Sequence, residues 1–153
     1  IHLLNYTHKK ILYMFDSKNV LYILTMLEAI EKIFIYSADF ENEEKFYLAN
    51  KQLNFNASVN LLVALGEENK KIDEELKTSN KINWKNLSAM RDKVSHNYRG
   101  IDESMVWEII KDYLPTLKIL LIEMLPKIEN SELYIKEALK TQYYEELHYL
   151  IYI

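Results

Sequence analysis

The stretch SKNVLYILTMLEAIEKIFIY, residues 17–36, carries the clearest structural pattern in the chain. Its apolar side chains recur at steps of three and four residues, which is the spacing of one face of an α-helix. Asp16 and Ser17 stand at its start and can cap the first turn. The stretch therefore predicts one long amphipathic helix ending near Tyr36. Its apolar face consists of Val20, Ile23, Leu24, Leu27, Ile30 and Phe34.

Helical periodicity continues along nearly the whole chain of 153 residues. Residues 37–52 are predicted to form a loop with a short helical turn. Elsewhere we expect helices joined by short connections, as in a bundle. The expected helices are residues 1–15, 55–76, 84–98, 102–125 and 131–153, with caps at Asn80 or Asn83, at Asp102 and at Ser131.

Glycine and proline are scarce, with two of each. So few chain-breaking residues argue against all-β and doubly wound folds, which need many turns. Gly66 lies inside a predicted helix, where glycine costs ~1 kcal/mol relative to alanine, so we expect another helix to pack closely against it. Gly100 is expected to terminate the helix 84–98, and Pro115 to kink the helix that contains it. The sequence predicts an all-α bundle that forms a single domain over residues 1–153.

Several classes of function are disfavoured by what the sequence lacks. It contains no cysteine, which excludes disulfides, thiolate nucleophiles and cysteine-based metal sites and fits a reducing cytoplasm. It contains no apolar run long enough to span a membrane and no signal-peptide pattern. A di-iron bundle needs two Glu-x-x-His pairs, and Glu145 with His148 is one. We therefore expect no metal, no cofactor and no membrane partner.

Positive charge concentrates in residues 81–99, although the chain as a whole carries a formal net charge of −4. The segment holds five lysines and arginines against one acid, Asp92. A local basic segment in an acidic chain can bind a polyanion, and it can equally be one solvated helix face. Charge alone leaves both interpretations open.

Within this segment, MRDKVSHNYRGID, residues 90–102, combines Arg91, His96 and Tyr98. At ~100° per residue, Arg91 and Tyr98 share one helix face, whereas Arg91 and His96 lie about 140° apart. Arg91 and His96 could meet if the helix loosens before His96, or if a second copy supplies one of them across a two-fold axis.

An arginine and a histidine brought together can cleave RNA without a metal ion. Histidine transfers protons near neutral pH, and arginine binds phosphate with a planar, permanently charged group. The alternative is an ordinary surface arginine with a histidine near a helix C-terminus, where the helix dipole favours the protonated ring.

The segment matches the R-x4-H-x-Y motif, and the chain resembles the HEPN-domain ribonucleases, specifically the HepT-like toxins of HepT/MntA toxin–antitoxin pairs. The resemblance covers about residues 17–126, and residues 127–153 form a helical extension beyond the usual family length. Four segments follow one another as they do in the family. They are NVLYILTMLEAIEKIFIYS, ASVNLLVALGEENKKI, INWKNLSAMRDKVSHNYRGID and MVWEIIKDYLPTLKILLIEML.

The resemblance implies a HEPN-type antiparallel bundle of about five helices plus an extra C-terminal helix, assembled as a homodimer that cleaves RNA. It places Arg91 and His96 in the active site at the dimer interface, with Asp92 in support, orienting the histidine. It makes Tyr98 the acceptor of AMP from a partner nucleotidyltransferase antitoxin. Further RNA contacts are expected from Lys93 and Arg99, although the family more often has an aromatic residue at the latter position.

Two other functions remain open from the sequence. The chain could be a non-catalytic, nucleotide- or substrate-binding partner of a small nucleotidyltransferase. It could also be a purely structural dimer, in which case Arg91→Ala would lower the melting temperature without changing any activity.

Overall fold

A computed structural model describes residues 15–96 and 100–152, without the side chains of Ser95 and His96. Within these ranges the protein is all-α, apart from one isolated parallel bridge between Phe15 and Ile128. The helix predicted for residues 1–15 falls, except for Phe15, outside the described residues. Among the helices described, none is both long and apolar enough to cross a membrane.

The long helix predicted first is confirmed as α1, Lys18–Ser37. Its apolar face is buried except for Phe34, which is partly buried, and the Asp16 carboxylate accepts a hydrogen bond of 2.9 Å from the backbone N–H of Lys18 at its first turn. The short helical turn predicted in the following loop is α2, Glu43–Leu48, which is followed by the 3-10 turn Ala49–Gln52.

Helix α3, Leu53–Glu68, packs antiparallel to α1. At one end of the pair, the Asn54 side chain donates to the carbonyl of Tyr36 at 3.0 Å. At the other end, beyond the last turn of α3, Asp73 binds Asn19. The Asn19 amide donates to the Asp73 carboxylate at 3.1 Å, and its oxygen accepts from the Asp73 backbone at 3.0 Å.

The prediction of one continuous helix over residues 55–76 was wrong. Helix α3 ends at Glu68, the 3-10 turn Asn69–Lys71 follows, and a separate short helix α4 spans Glu74–Lys77. Asn19 of α1 is fully buried and fixes Asp73 in an extended conformation, so the chain leaves the helical path before α4 begins.

Helix α5, Trp84–His96, carries the motif and packs against α3. The Asn83 side chain accepts from the Asn86 backbone at 3.0 Å, which confirms a cap at that position. Residues 97 and 98 of the predicted helix lie outside the described residues. Residues 97–99, which separate α5 from Gly100, lie outside the described residues, so the helix end expected at Gly100 stays a prediction.

The helix predicted over residues 102–125 forms as three consecutive segments. They are α6, Glu103–Glu108, a π-helical turn, Ile109–Tyr113, and α7, Leu114–Met124. The Asp102 carboxylate caps α6 through the Ser104 backbone at 2.9 Å. Pro115 lies in the first turn of α7, as the second residue after the π-helical turn, which accommodates the missing backbone donor by widening the helix.

The C-terminal extension folds back onto α1 instead of forming the single helix predicted over residues 131–153. It consists of α8, Ser131–Ala138, and a 3-10 segment, Gln142–Tyr152. Asn130, not Ser131, occupies the cap position of α8. Leu139, Leu147 and Leu150 of this extension are buried, whereas Tyr143 is 52% exposed.

Candidate active site

Arg91 lies at the boundary between the buried and exposed faces of α5. Leu87 and Val94, four residues before it and three after it, are 0% and 1% exposed. The helix face near Arg91 therefore turns toward the core. The Arg91 side chain itself is 27% exposed, so its stem packs against the protein while its guanidinium reaches the surface.

The predicted close approach at Gly66 is confirmed, and the residue it meets is Arg91. A Cβ built on Gly66 would overlap the Cβ of Arg91 and lie 2.8 Å from its Cγ. Normal contact between carbon atoms requires about 3.5–4.0 Å, so no larger residue fits without moving the helices. Gly66 therefore sets how near the backbone of α3 comes to the catalytic candidate on α5.

Asn69 closes the same junction from the end of α3. It is 1% exposed, and its amide donates to the Gly66 carbonyl at 2.8 Å and to the Ser88 hydroxyl at 3.2 Å. The order of these contacts makes α3 and α5 antiparallel, because Asn69 meets Ser88 whereas Gly66 meets Arg91. A buried hydrogen-bonded side chain thus holds the two helices in register next to Arg91.

Two carboxylates contact the guanidinium of Arg91. Glu67, on α3, forms an ion pair with its Nε, and Asp92 accepts from Nη1 at 2.9 Å. Asp92, and next the charge of Glu67, raise the pKa of Arg91 above its ordinary value. The arginine is consequently a permanent cation.

The other motif residues are only partly covered by the structure. Helix α5 continues through His96, so the described backbone does not loosen before it. The side chain of His96, as well as Tyr98 and Arg99, lies outside what the structure describes. Asp92, predicted to orient His96, contacts Arg91, and its role toward the histidine stays a prediction. Lys93 is exposed on α5, where it is accessible to a ligand.

Counting the charged residues of the segment 81–99 alone overstated the positive charge near Arg91. Glu67, which lies outside the basic segment, contacts both Arg91 and Lys70, the latter at 3.3 Å. Beside this cluster, a groove of about 790 Å³ runs along the first turns of α5 as far as Asp92. Its lining combines cationic, aromatic and hydroxyl side chains, including Lys77, Trp84, Lys85 and Ser88.

Sequence reasoning missed Glu67, Asn69 and this groove. The available signal was Gly66, because a glycine that allows close helix packing also brings its neighbours near the same site. The mixed lining of the groove comes from several elements, and no local pattern connects them.

An all-α bundle with an R-x4-H-x-Y motif that begins in α5 defines a HEPN-type protein. The family model "Ribonuclease HepT-like" matches residues 26–124. This range lies within residues 17–126, the span of the resemblance seen in the sequence. The chain belongs to this family of endoribonucleases, and endoribonuclease is its enzyme class.

Curated relatives agree with the family model. The chain is 33% identical over 98 residues to "Probable ribonuclease HepT" of Thermococcus cleftensis, an alignment that covers 63% of this chain and 86% of that one. It is 33% identical over 118 residues to "Putative RNase MJ1216" of Methanocaldococcus jannaschii, covering 76% and 93% of the two chains. A third relative, "Putative RNase MJ0125" of the same organism, is 34% identical over 104 residues, covering 67% and 85%. No solved structure matches the chain significantly.

Proposed function

We propose that this protein is a metal-independent endoribonuclease toxin that cleaves RNA with Arg91 and His96 at the interface of a homodimer. The observation that carries the proposal is the placement of Arg91, whose stem is packed between α3 and α5 while its guanidinium stays accessible. A permanent cation with a planar fork, held in place but open to solvent, suits the recognition of an RNA phosphate.

The chemistry of RNA cleavage matches these side chains. The 2′-hydroxyl oxygen attacks the adjacent phosphorus, and the bond from phosphorus to the 5′-oxygen breaks, giving a 2′,3′-cyclic phosphate and a 5′-hydroxyl end. His96 accepts the 2′ proton, and His96 of the partner subunit donates a proton to the departing 5′-oxygen. Arg91 stabilises the negative charge that develops on the phosphoryl oxygens.

A homodimer can bring together an arginine and a histidine that one helix keeps apart. Arg91 and His96 lie five residues apart on α5, and at ~100° per residue two such positions are about 140° apart around a helix. A two-fold axis near the C-terminal end of α5 would place two arginines and two histidines around one cleft. This arrangement provides a base, an acid and a cation together.

The family resemblance also implies regulation by AMP at Tyr98, two residues beyond His96. A nucleotidyltransferase partner would join the tyrosyl oxygen to the α-phosphorus of ATP, with release of pyrophosphate and loss of the phenolic proton. The adduct adds negative charge and bulk beside the proposed cleft, and both oppose binding of an RNA phosphate. A toxin controlled in this way would act on RNA in the cytoplasm.

The first test is cleavage of total RNA by the purified chain in excess chelator. Wild type should cleave, His96→Ala and Arg91→Ala should not, and His148→Ala, which alters an exposed histidine elsewhere, should cleave normally. Equal cleavage by wild type and His96→Ala would refute the proposed site. An unmodified wild type that binds nucleotide through these residues but cleaves nothing would instead support a non-catalytic partner subunit.

The dimer and the AMP acceptor need separate measurements. Excess His96→Ala mixed with wild type should lower activity beyond simple dilution, because mixed dimers lack one histidine, and His148→Ala should not. Co-expression with a nucleotidyltransferase partner should add the mass of one AMP. Tyr98→Phe should prevent the addition, whereas Tyr152→Phe, at a side chain 90% exposed, should not. Normal addition to Tyr98→Phe would show that another residue is the acceptor.

A further inference from the structure

We propose that Glu67 is a positioning residue that orients the guanidinium of Arg91 toward the RNA phosphate. The proposal rests on the function proposed above and adds a residue from a different helix to its active site. Glu67 reaches Arg91 across the junction of α3 and α5, where its Oε1 pairs with Nε.

The two carboxylates contact different nitrogens of Arg91. Glu67 pairs with Nε and Asp92 with Nη1, so the planar group is restrained at two separate points. An RNA phosphate would bind at the terminal edge through Nη2 and the second proton of Nη1, since each terminal nitrogen of a guanidinium carries two protons. That edge can make two parallel hydrogen bonds to phosphate oxygens, the geometry in which arginine binds phosphate best.

The backbone that carries Glu67 is itself fixed. Gly66, directly before it, touches the stem of Arg91, and Asn69, two residues later, bonds both to Gly66 and to Ser88 of α5. Asp92 belongs to the same helix as Arg91 and moves with it. Glu67 belongs to α3, so it alone of the two carboxylates relates the guanidinium to a second helix.

The charge of Glu67 would by itself repel RNA, and a neighbouring lysine reduces this effect. Lys70 pairs with the same Oε1 atom at 3.3 Å, which gives an alternating row of Lys70, Glu67, Arg91 and Asp92. The carboxylate can thus hold Arg91 while part of its own charge is compensated.

If the Glu67–Arg91 contact were an ordinary surface ion pair with no effect on catalysis, a different result would be expected. Such pairs contribute little to stability, so the melting temperature cannot decide between the two roles. A positioning role predicts a change in the rate at saturating RNA. It further predicts that this change depends on the fork of Arg91.

The experiment compares Glu67→Gln with Glu68→Gln in the full-length chain. Glu68 is the matched control because it forms an equivalent ion pair with Lys71 at 2.9 Å, three residues further along. Each substitution is made in wild type and in Arg91→Lys, which keeps the charge but loses the fork. The measurements are the single-turnover cleavage rate at saturating RNA, the RNA concentration at half-maximal rate, and the melting temperature.

We expect Glu67→Gln to lower the saturating rate about tenfold or more, because a small misplacement of a catalytic group is costly. The half-maximal RNA concentration and the melting temperature should change little, and Glu68→Gln should behave as wild type. In the Arg91→Lys background, the effect of Glu67→Gln should shrink to about twofold or less, since interacting residues are not additive.

Three results would overturn the assignment of Glu67. They are an unchanged rate in Glu67→Gln, a faster rate, which would make Glu67 a competitor of the phosphate, or an equal loss in both backgrounds. Failure of the proposed function is distinguishable, because Arg91→Lys alone would then cleave as well as wild type. In that case the positioning role of Glu67 would be refuted as well.

Discussion

Replacing Gly66 with alanine tests how closely α3 and α5 must approach for the site to form. The new methyl group would overlap the Arg91 Cβ and lie 2.8 Å from its Cγ and 3.5 Å from its Cα. The Cγ distance alone is about 0.7 Å short of normal carbon contact. Because Cβ is fixed to the helix backbone, a change of rotamer cannot remove the overlap, and the helices must move apart.

The expected loss of stability combines two opposing effects. Overpacking a well-filled site costs typically 1–3 kcal/mol, and an overlap with an atom next to the backbone puts this case near the upper end, about 3 kcal/mol. Alanine in place of glycine inside a helix returns about 1 kcal/mol. The net expectation is a destabilisation of about 2 kcal/mol. For a chain of this size it corresponds to a melting temperature lower by about 4–8 °C.

Thermal and urea unfolding measure the free energy of unfolding of Gly66→Ala. Its RNA cleavage rate then reports whether Arg91 has been displaced. The cleavage rate should fall more than the lost stability explains, because Gly66→Ala stays folded at 25 °C while its arginine is displaced. Gly100→Ala is the matched control for stability. Among the described residues, no atom lies within 4 Å of its new methyl group, so the melting temperature of Gly100→Ala should stay close to that of wild type. A higher melting temperature for Gly66→Ala, as at an open helix position, would refute the close approach.

Three further predictions concern the junctions around the site. Asn69→Ala should destabilise the protein by about 1–3 kcal/mol in urea unfolding, because it removes hydrogen bonds to the buried Gly66 carbonyl and to the partly buried Ser88 hydroxyl. The hydrogen bond from Asn19, together with Lys18, lowers the pKa of Asp73 in the folded protein. The Asp73 carboxylate therefore stabilises the fold at pH values above its unfolded-state pKa of about 3.9, and this contribution is lost as the pH falls through its folded-state pKa. Asp73→Asn should consequently flatten the acid side of a plot of melting temperature against pH. Tyr149→Phe should cost about 1–2 kcal/mol in thermal unfolding, since it removes a 3.2 Å hydrogen bond to Glu31 that ties the C-terminal extension to α1.

The described residues show how much of the architecture follows from local pattern. The α1 face, the caps at Asn83 and Asp102 and the close contact at Gly66 were all predicted, because each depends on side-chain spacing or on the conformational cost of one residue type. The errors came where distant residues compete with the helix. Asn19 of α1 binds Asp73 between α3 and α4, where one continuous helix was predicted, and the C-terminal extension packs on α1 as α8 and a 3-10 segment instead of one helix.

The sequence by itself determined the helical class, the family and the identity of the candidate residues Arg91 and His96. These follow from periodicity and from a motif, and both lie within short stretches of chain. Only the tertiary structure decided what surrounds Arg91. Glu67 and Asn69 reach it from another helix, and ion pairs and hydrogen bonds act over a few ångströms of space, whatever the separation along the chain.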